Sequence, residues 1–301
     1  MLQEKNFLMA GYGFRYFTRD PSITLCFQQR YAPFEVDRLD VPDGNYEFVR
    51  RDAIDHPPAD PKRRFMDSEN WQFGMTIDER IYMNVNYVLN NYWHPVALVD
   101  NTFREGYVFP RMIDASTDFH YCTFFPNDEQ LLLNRIGKLG GGLVHCCGVA
   151  HNGKAYLFCG KSGAGKSTTA ALWKAQGHTL LNDDRMIIRM LDGQAVSGPS
   201  PWHGSIPELH PELLPLGGIF HLEQARENHA HSMPLMEGLG CLMANCIAPF
   251  NFKDSMTQVM DNFALALETT PSWHLAFTPD EGAYHAAMAA IETIDRGQLD
   301  A

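Results

Sequence analysis

The sequence predicts an α/β fold, a mixed sheet with flanking helices, preceded by an N-terminal α+β region. Three observations predict it. The octapeptide "GKSGAGKS" at 160–167 lies between an apolar strand pattern and an amphipathic helix pattern. Asn152-Gly153 and Asp192-Gly193 each sit between β-type runs, as hairpin tips do. From 126 onward, strand and helix periods alternate, which calls for helices packed on a sheet.

The N-terminal stretch to about residue 50 carries short aromatic and β-branched runs, "FRYFTR" (14–19), "SITLCFQ" (22–28) and "YEFVR" (46–50), read as strands. "RRDAIDHPPADPKRRF" (50–65) is charged, proline-rich and unpatterned, and predicts an exposed loop. "IYMNVNYVLNNYWHPVAL" (81–98) fits helix or strand, and its aromatic stripe fits a core better than a binding surface. "PNDEQLLLNRIGKLGGG" (126–142) predicts a helix, capped at Asn127 or Asp128 and ended by the Gly triplet. The triplet marks a change of character, and the division expected is 1–125 and 126–301, the helix counted with the second part.

Beyond the triplet, "LVHCCGVAHNGKAYLFCG" predicts a hairpin whose second strand enters the Gly-rich loop. "KSTTAALWKAQG" is a helix closed by Gly177. "HTLLND" is a short buried strand, placed beside the loop strand, and "RMIIRMLDGQAVSG" is a second hairpin. A strand follows at 216–224, helices near 233–247, 254–268 and 281–295, and a strand at "SWHLAF".

Composition bounds the function. The chain has 301 residues, 45% hydrophobic and 20% charged, as a globular protein of one or two domains does. A formal net charge of -12 argues against a nucleic-acid or anionic-membrane surface. The 7 Cys residues include no C-x-x-C pair, and the first residues lack a basic segment followed by an apolar one, so a cytoplasmic location is expected. The most apolar window, Met233–Phe252, carries Glu237, Asn245 and two prolines, and reads as a core helix rather than a membrane span. The Cys146-Cys147 pair reads as core packing. "HAH" (229–231) belongs to no metal-binding frame, so no dedicated protein zinc site is expected.

Gly160, Lys161, Ser162, Gly163, Ala164, Gly165, Lys166 and Ser167 match G-x-x-x-x-G-K-[ST] in full. Glycines let successive backbone N–H groups converge on one anion, and the following helix adds its positive end. Lys166 would reach the β- and γ-phosphates of ATP, Ser167 would place a hydroxyl on Mg²⁺, and Thr168 continues the first turn.

Asp183 and Asp184 follow Lys166 by one helix and one strand. Two carboxylates at a strand end suit two tasks: one holds Mg²⁺, the other accepts a proton from an attacking hydroxyl. Successive strand residues face opposite ways, so both serve one site only if the backbone turns there. A guanine-reading N-K-x-D segment is absent, as is an apolar run ending in Asp-Glu, which argues against a GTPase switch or a motor ATPase.

These residues resemble the HPr kinase/phosphorylase family, within the phosphoenolpyruvate-carboxykinase-like P-loop fold. The likeness rests on the loop itself, on "GHTLLNDDRMIIR" (177–189) and on "VHCCGV" (144–149), with His145 lying 15 residues before Gly160. It implies an ATP- and Mg²⁺-dependent kinase acting on a hydroxyl, a Ser or Thr of a protein or peptide, or a small molecule. It also implies Asp183 as acid/base, Asp184 at the metal or substrate, the two roles being exchangeable, and His145 beside the phosphates. His145 reads equally as a core histidine on a strand. Family analogues are often oligomeric, which implies a homo-oligomer. The chain has Thr168 where the family has Glu, and "GPSPWHGSIPELHPELLP" (198–215) where the family has a Glu-x-Arg-Gly tract. Trp202 and His203 in that segment are candidates for a substrate edge. Two alternatives stand beside the kinase: a nucleotide-binding sensor or assembly module without catalysis, and a phosphoenolpyruvate-carboxykinase-like small-molecule enzyme.

Overall fold

In the computed structural model of the chain, residues 2–67, 71–87, 92–112, 120–121, 127–247, 249 and 252–297 are described. The chain divides into two compact units. One comprises Met1–Leu8, Tyr12–Lys138 and Pro249–Lys253; the other comprises Met9–Gly11, Leu139–Ala248 and Asp254–Ala301. Both are built on mixed sheets, so the fold is mixed α/β.

The first unit carries β1 (Gln3–Met9), β2 (Tyr12–Thr18), β3 (Glu35–Val36), β4 (Gly44–Phe48), β5 (Ala59–Asp67), β6 (Trp71–Thr76), β7 (Ile81–Tyr87), β8 (Tyr92–Val99) and β9 (Glu105–Val108). They lie in the order β3-β1-β2-β4-β9-β8-β7-β6-β5, with β10 (Arg111–Met112) and β11 (His120–Tyr121) as a separate pair. "SITLCFQ" makes only an isolated bridge at Cys26, and Phe27 instead packs its ring on Phe7, Tyr16 and Tyr31. Part of the expected loop 50–65 is also different. Residues from Ala59 pair with β6 at the sheet edge, with register breaks between Ala59 and Met66 around Pro61. An edge strand needs only one side of its ladder, so it tolerates proline and bulges that a central strand would not. The ambiguous run 81–98 is strand, because neighbours on both sides supply ladders. Residues 88–91 within it lie outside the described residues.

Helix α1 (Asn127–Lys138) groups with this first unit, so the compact units divide at Lys138/Leu139, next to the Gly triplet rather than ahead of the helix. Its contacts show why. Arg135 donates to the carbonyls of Asp43 (2.6 Å) and Thr102 (3.2 Å), and the Tyr31 hydroxyl donates to the buried Asp128 carboxylate (2.6 Å).

The second unit carries β12 (Gly142–His151), β13 (Lys154–Cys159), β14 (Thr179–Asn182), β15 (Arg185–Leu191), β16 (Gln194–Pro199), β17 (Leu214–Gln224), β18 (His229–Ser232), β19 (Cys246–Ile247) and β20 (Ser272–Phe277). Its helices are α2 (Lys166–Ala175), α3 (Leu235–Ala244), α4 (Lys253–Thr269) and α5 (Glu281–Gly297). The main path runs β13-β12-β15-β16-β17-β20-β18, and β13 also pairs with β17. Both hairpins turn where the sequence places them, with Asn152 (φ 50°) and Asp192 (φ 50°) in the left-handed region such turns require. β14 pairs with β12, not with the loop strand β13 as expected. The places beside β13 are taken by β12 and, in parallel, by β17.

Two apolar layers cover this sheet. Ala155, Leu157 and Cys159 of β13 face one layer with Val259, Phe263 and Leu242; Tyr156 and Phe158 face the other with Trp173, Ala287 and Ile291. The alternation follows the strand period of two. Phe158, Phe220 and Trp273 stack across β13, β17 and β20, with centroids 5.0 and 4.6 Å apart. Among the described residues, no helix is long and apolar enough to cross a membrane.

His221 lies on β17 in register with Cys159 and His274, and both of its ring nitrogens are buried without a hydrogen-bond partner. Burial, aided by the charge of His274, pulls its pKa down to about 4. In the unfolded chain an imidazole protonates near pH 6.5. Unfolding therefore takes up a proton between those values, and stability falls as pH drops from about 6.5 to 4, by up to about 3 kcal/mol. Chemical denaturation across that range should show this slope in the parent and a flatter one in His221→Leu. Equal slopes would contradict the assignment.

Candidate active site

The phosphate loop begins where β13 ends. Gly163 (φ 79°) and Gly165 (φ 110°) take left-handed backbone, and a Cβ on Gly165 would lie 2.5 Å from the Phe277 ring. Ala164 N–H donates to the Lys161 carbonyl (3.0 Å), closing the turn, and Gln224 Nε2 pins its tip through the Gly163 carbonyl (2.8 Å). Gly165 is the N-cap of α2 and offers no side-chain acceptor, so the first-turn N–H groups lack a side-chain cap. Ser167 and Thr168 are exposed on that turn. Lys166 is 7% exposed and bends back over the loop, donating to the carbonyls of Gly160 (2.8 Å) and Lys161 (3.2 Å).

The aspartate pair is set by Asn182, the fully buried last residue of β14. Its Oδ1 accepts from Asp184 N (2.8 Å) and Arg185 N (3.1 Å), while its Nδ2 donates to the carbonyls of Ser200 (3.0 Å) and Trp202 (2.9 Å). An Asn side chain that bonds to the backbone two residues on turns the chain. The strand ends there, and the two carboxylates diverge.

Asp184 is bonded by two neighbouring cationic or titratable side chains. His145 Nδ1 lies 3.1 Å from its Oδ1, and Arg185 Nη1 donates to its Oδ2 (2.5 Å). Burial would raise its pKa, but the hydrogen bond from His145 and the charges of Arg185, His145 and Lys166 outweigh it. The carboxyl stays below the usual carboxylate range. Asp183, 2% exposed, turns toward the segment after β16. Its Oδ1 accepts from Gly204 N (2.6 Å), and its Oδ2 accepts from Ile206 N (2.9 Å) and lies 3.5 Å from the Ser205 hydroxyl. Asp183 and Lys166 both act electrostatically on the buried Cys147 thiol.

The structure thus joins His145 to Asp184, sets Asp183 and Asp184 on either side of one turn, and puts Lys166 within electrostatic reach of Asp184. It does not give Trp202 to a substrate. That ring is buried (1% exposed), and only His203, half-buried, borders the surface. A proline-flanked tryptophan reads as exposed in sequence, but here its carbonyl is tied to Asn182 and its ring is buried. Sequence reasoning passed over Asn182, the 204–206 backbone and Gln224. For Asn182 the signal was present, an Asn directly before an Asp pair at a strand end. Among the described residues, no three His, Cys, Asp or Glu side chains converge as a metal cluster.

No family model and no curated protein matches the chain. Among solved structures, the HPr(Ser) kinase/phosphatase from Coxiella burnetii is similar at 9% identity and a TM-score of 0.31, over 53% of this chain and 99% of that one. That likeness is too slight to carry function from one protein to the other.

Asn182→Ala removes four hydrogen bonds and leaves buried carbonyl and N–H groups unmatched, which should cost about 2–4 kcal/mol. Urea unfolding checks it, and a loss under about 1 kcal/mol would show that the turn holds without that side chain.

Proposed function

We propose that the chain is an ATP- and Mg²⁺-dependent kinase of the HPr-kinase-like kind, transferring the γ-phosphoryl group to a hydroxyl of a protein, peptide or small molecule. The observation that carries this is the split of the aspartate pair. One carboxylate, Asp184, is held ionised by His145 and Arg185 with the charge of Lys166 adding to them; the other, Asp183, lies 3.5 Å from a serine hydroxyl. A phosphoryl-transfer site needs one charge at the metal and phosphates and one acceptor at the attacking oxygen.

In this reading the N–H groups of the loop and of the first turn of α2 bind the triphosphate, with Lys166 turned outward from the Gly160 and Lys161 carbonyls onto the β- and γ-phosphates. Ser167 and Asp184 would hold Mg²⁺, which supplies charge neutralisation at the transferred group. His145 orients Asp184 through its Nδ1 contact. Asp183 accepts the proton of the attacking hydroxyl. The six cysteines seen are all unbridged, which suits a reducing, cytoplasmic compartment.

A second reading has a specific observation in its favour. The Gly204 and Ile206 N–H groups already occupy Asp183, as they would in a site that binds nucleotide and transfers nothing. Incubation with γ-labelled ATP and cell extract separates the two. The kinase predicts label on an acceptor, falling at least about 100-fold in Lys166→Ala and in Asp184→Asn. ATP binding without transfer to any acceptor would establish the sensor instead.

A further inference from the structure

We propose that Ser205 is itself a phosphorylation site, modified in cis by the kinase site it borders; this rests on the phosphotransfer reading above. A serine kinase must bring a hydroxyl to its proton-accepting carboxylate. Here the chain's own Ser205 does so, its Oγ lying 3.5 Å from Asp183 Oδ2. The residues on either side fix that placement. Gly204 N–H and Ile206 N–H each donate to the same carboxylate, leaving Ser205 at the apex of a two-point clamp.

The segment is also anchored to the last turn of α2 and to β14. Ile206 packs against the apolar layer that holds Trp173 of α2, and Glu208 pairs with Lys174 of the same helix (2.5 Å). His210 N–H reaches the Leu181 carbonyl of β14 (3.3 Å). Residues 200–213 have no helix or strand of their own, so the apex can shift toward the phosphates without breaking a ladder. Ser205 is exposed and accessible to a transferred group. Ser200, the other serine of the segment, is fully buried, and its hydroxyl is spent on the Arg185 and Trp202 carbonyls.

In the step, Ser205 Oγ bonds to the γ-phosphorus of the nucleoside triphosphate as the bond from that phosphorus to the β,γ-bridging oxygen breaks. The nucleoside diphosphate leaves with the electron pair, and the hydroxyl proton passes to Asp183. The product places a phosphate carrying about -1.5 to -2 charges against Asp183, an arrangement that like charges disfavour. The clamp then opens, and Asp183 becomes available to an external hydroxyl.

Purified full-length protein with Mg·ATP, without any added acceptor, tests this by peptide mapping, with ATP binding followed by calorimetry on the same samples. We expect a single phosphoryl group on the peptide carrying Ser205, appearing at a first-order rate unchanged on tenfold dilution of the protein. Ser205→Ala should lose the label while keeping ATP affinity, Ser205→Thr should carry it as phosphothreonine, and Lys166→Ala should carry none. Hydrogen exchange at the Gly204 and Ile206 N–H groups should quicken once the label is on. A protein that binds ATP and labels an acceptor in extract while Ser205 stays unmodified overturns the inference and leaves the kinase reading intact. A rate that falls on dilution overturns modification in cis, and absence of ATP binding overturns both.

Discussion

The site depends on one buried amide. Asn182 ends β14, and its side chain makes four hydrogen bonds, two to the turn that follows and two to the carbonyls of Ser200 and Trp202. The first two make the backbone turn, so adjacent aspartates need not alternate across a sheet. The last two bring the 200–206 segment to where Asp183 can bind it. A buried amide so fully satisfied fixes a single geometry, because losing any partner leaves a polar group without water or protein to bond it.

Charge completes what the turn begins. The chain is acidic as a whole, with a net charge of -12, yet Arg185 and His145 bond Asp184 and the charge of Lys166 also acts on it. Local positive groups and unbonded helix N–H groups decide whether an anion binds, since bulk solvent screens the distant carboxylates. The same cations keep Asp184 ionised in a half-buried setting that would otherwise favour its neutral form. The second carboxylate needs no cation, because two N–H groups bond it directly.

Much of the second unit was legible because its signals are local. Asn152-Gly153 and Asp192-Gly193 specify turns by dihedral preference, and the loop glycines do the same. Helix periods at α4 and α5 need no partner to be read. What escaped was non-local. β14 pairs with β12 because β13 already has β17 on its other side, a matter of topology that no single segment carries. The segment from Ala59 to Asp67 is a strand only because β6 offers it an edge. The Trp202 backbone is held by a residue 20 positions earlier, and its ring is buried by packing that no local pattern announces. The aspartate pair was visible in the sequence, but its division between the His145 and Arg185 side chains and the 204–206 backbone was not.

That division of labour is the central claim, and Mg²⁺ dependence of nucleotide affinity tests it most directly. Calorimetric ATP binding would be compared with and without Mg²⁺ in the parent, Asp184→Asn and Asp183→Asn. The account predicts that Asp184→Asn abolishes the gain in affinity from Mg²⁺, while Asp183→Asn retains it. Loss of that gain in Asp183→Asn alone, or in both variants equally, would contradict it.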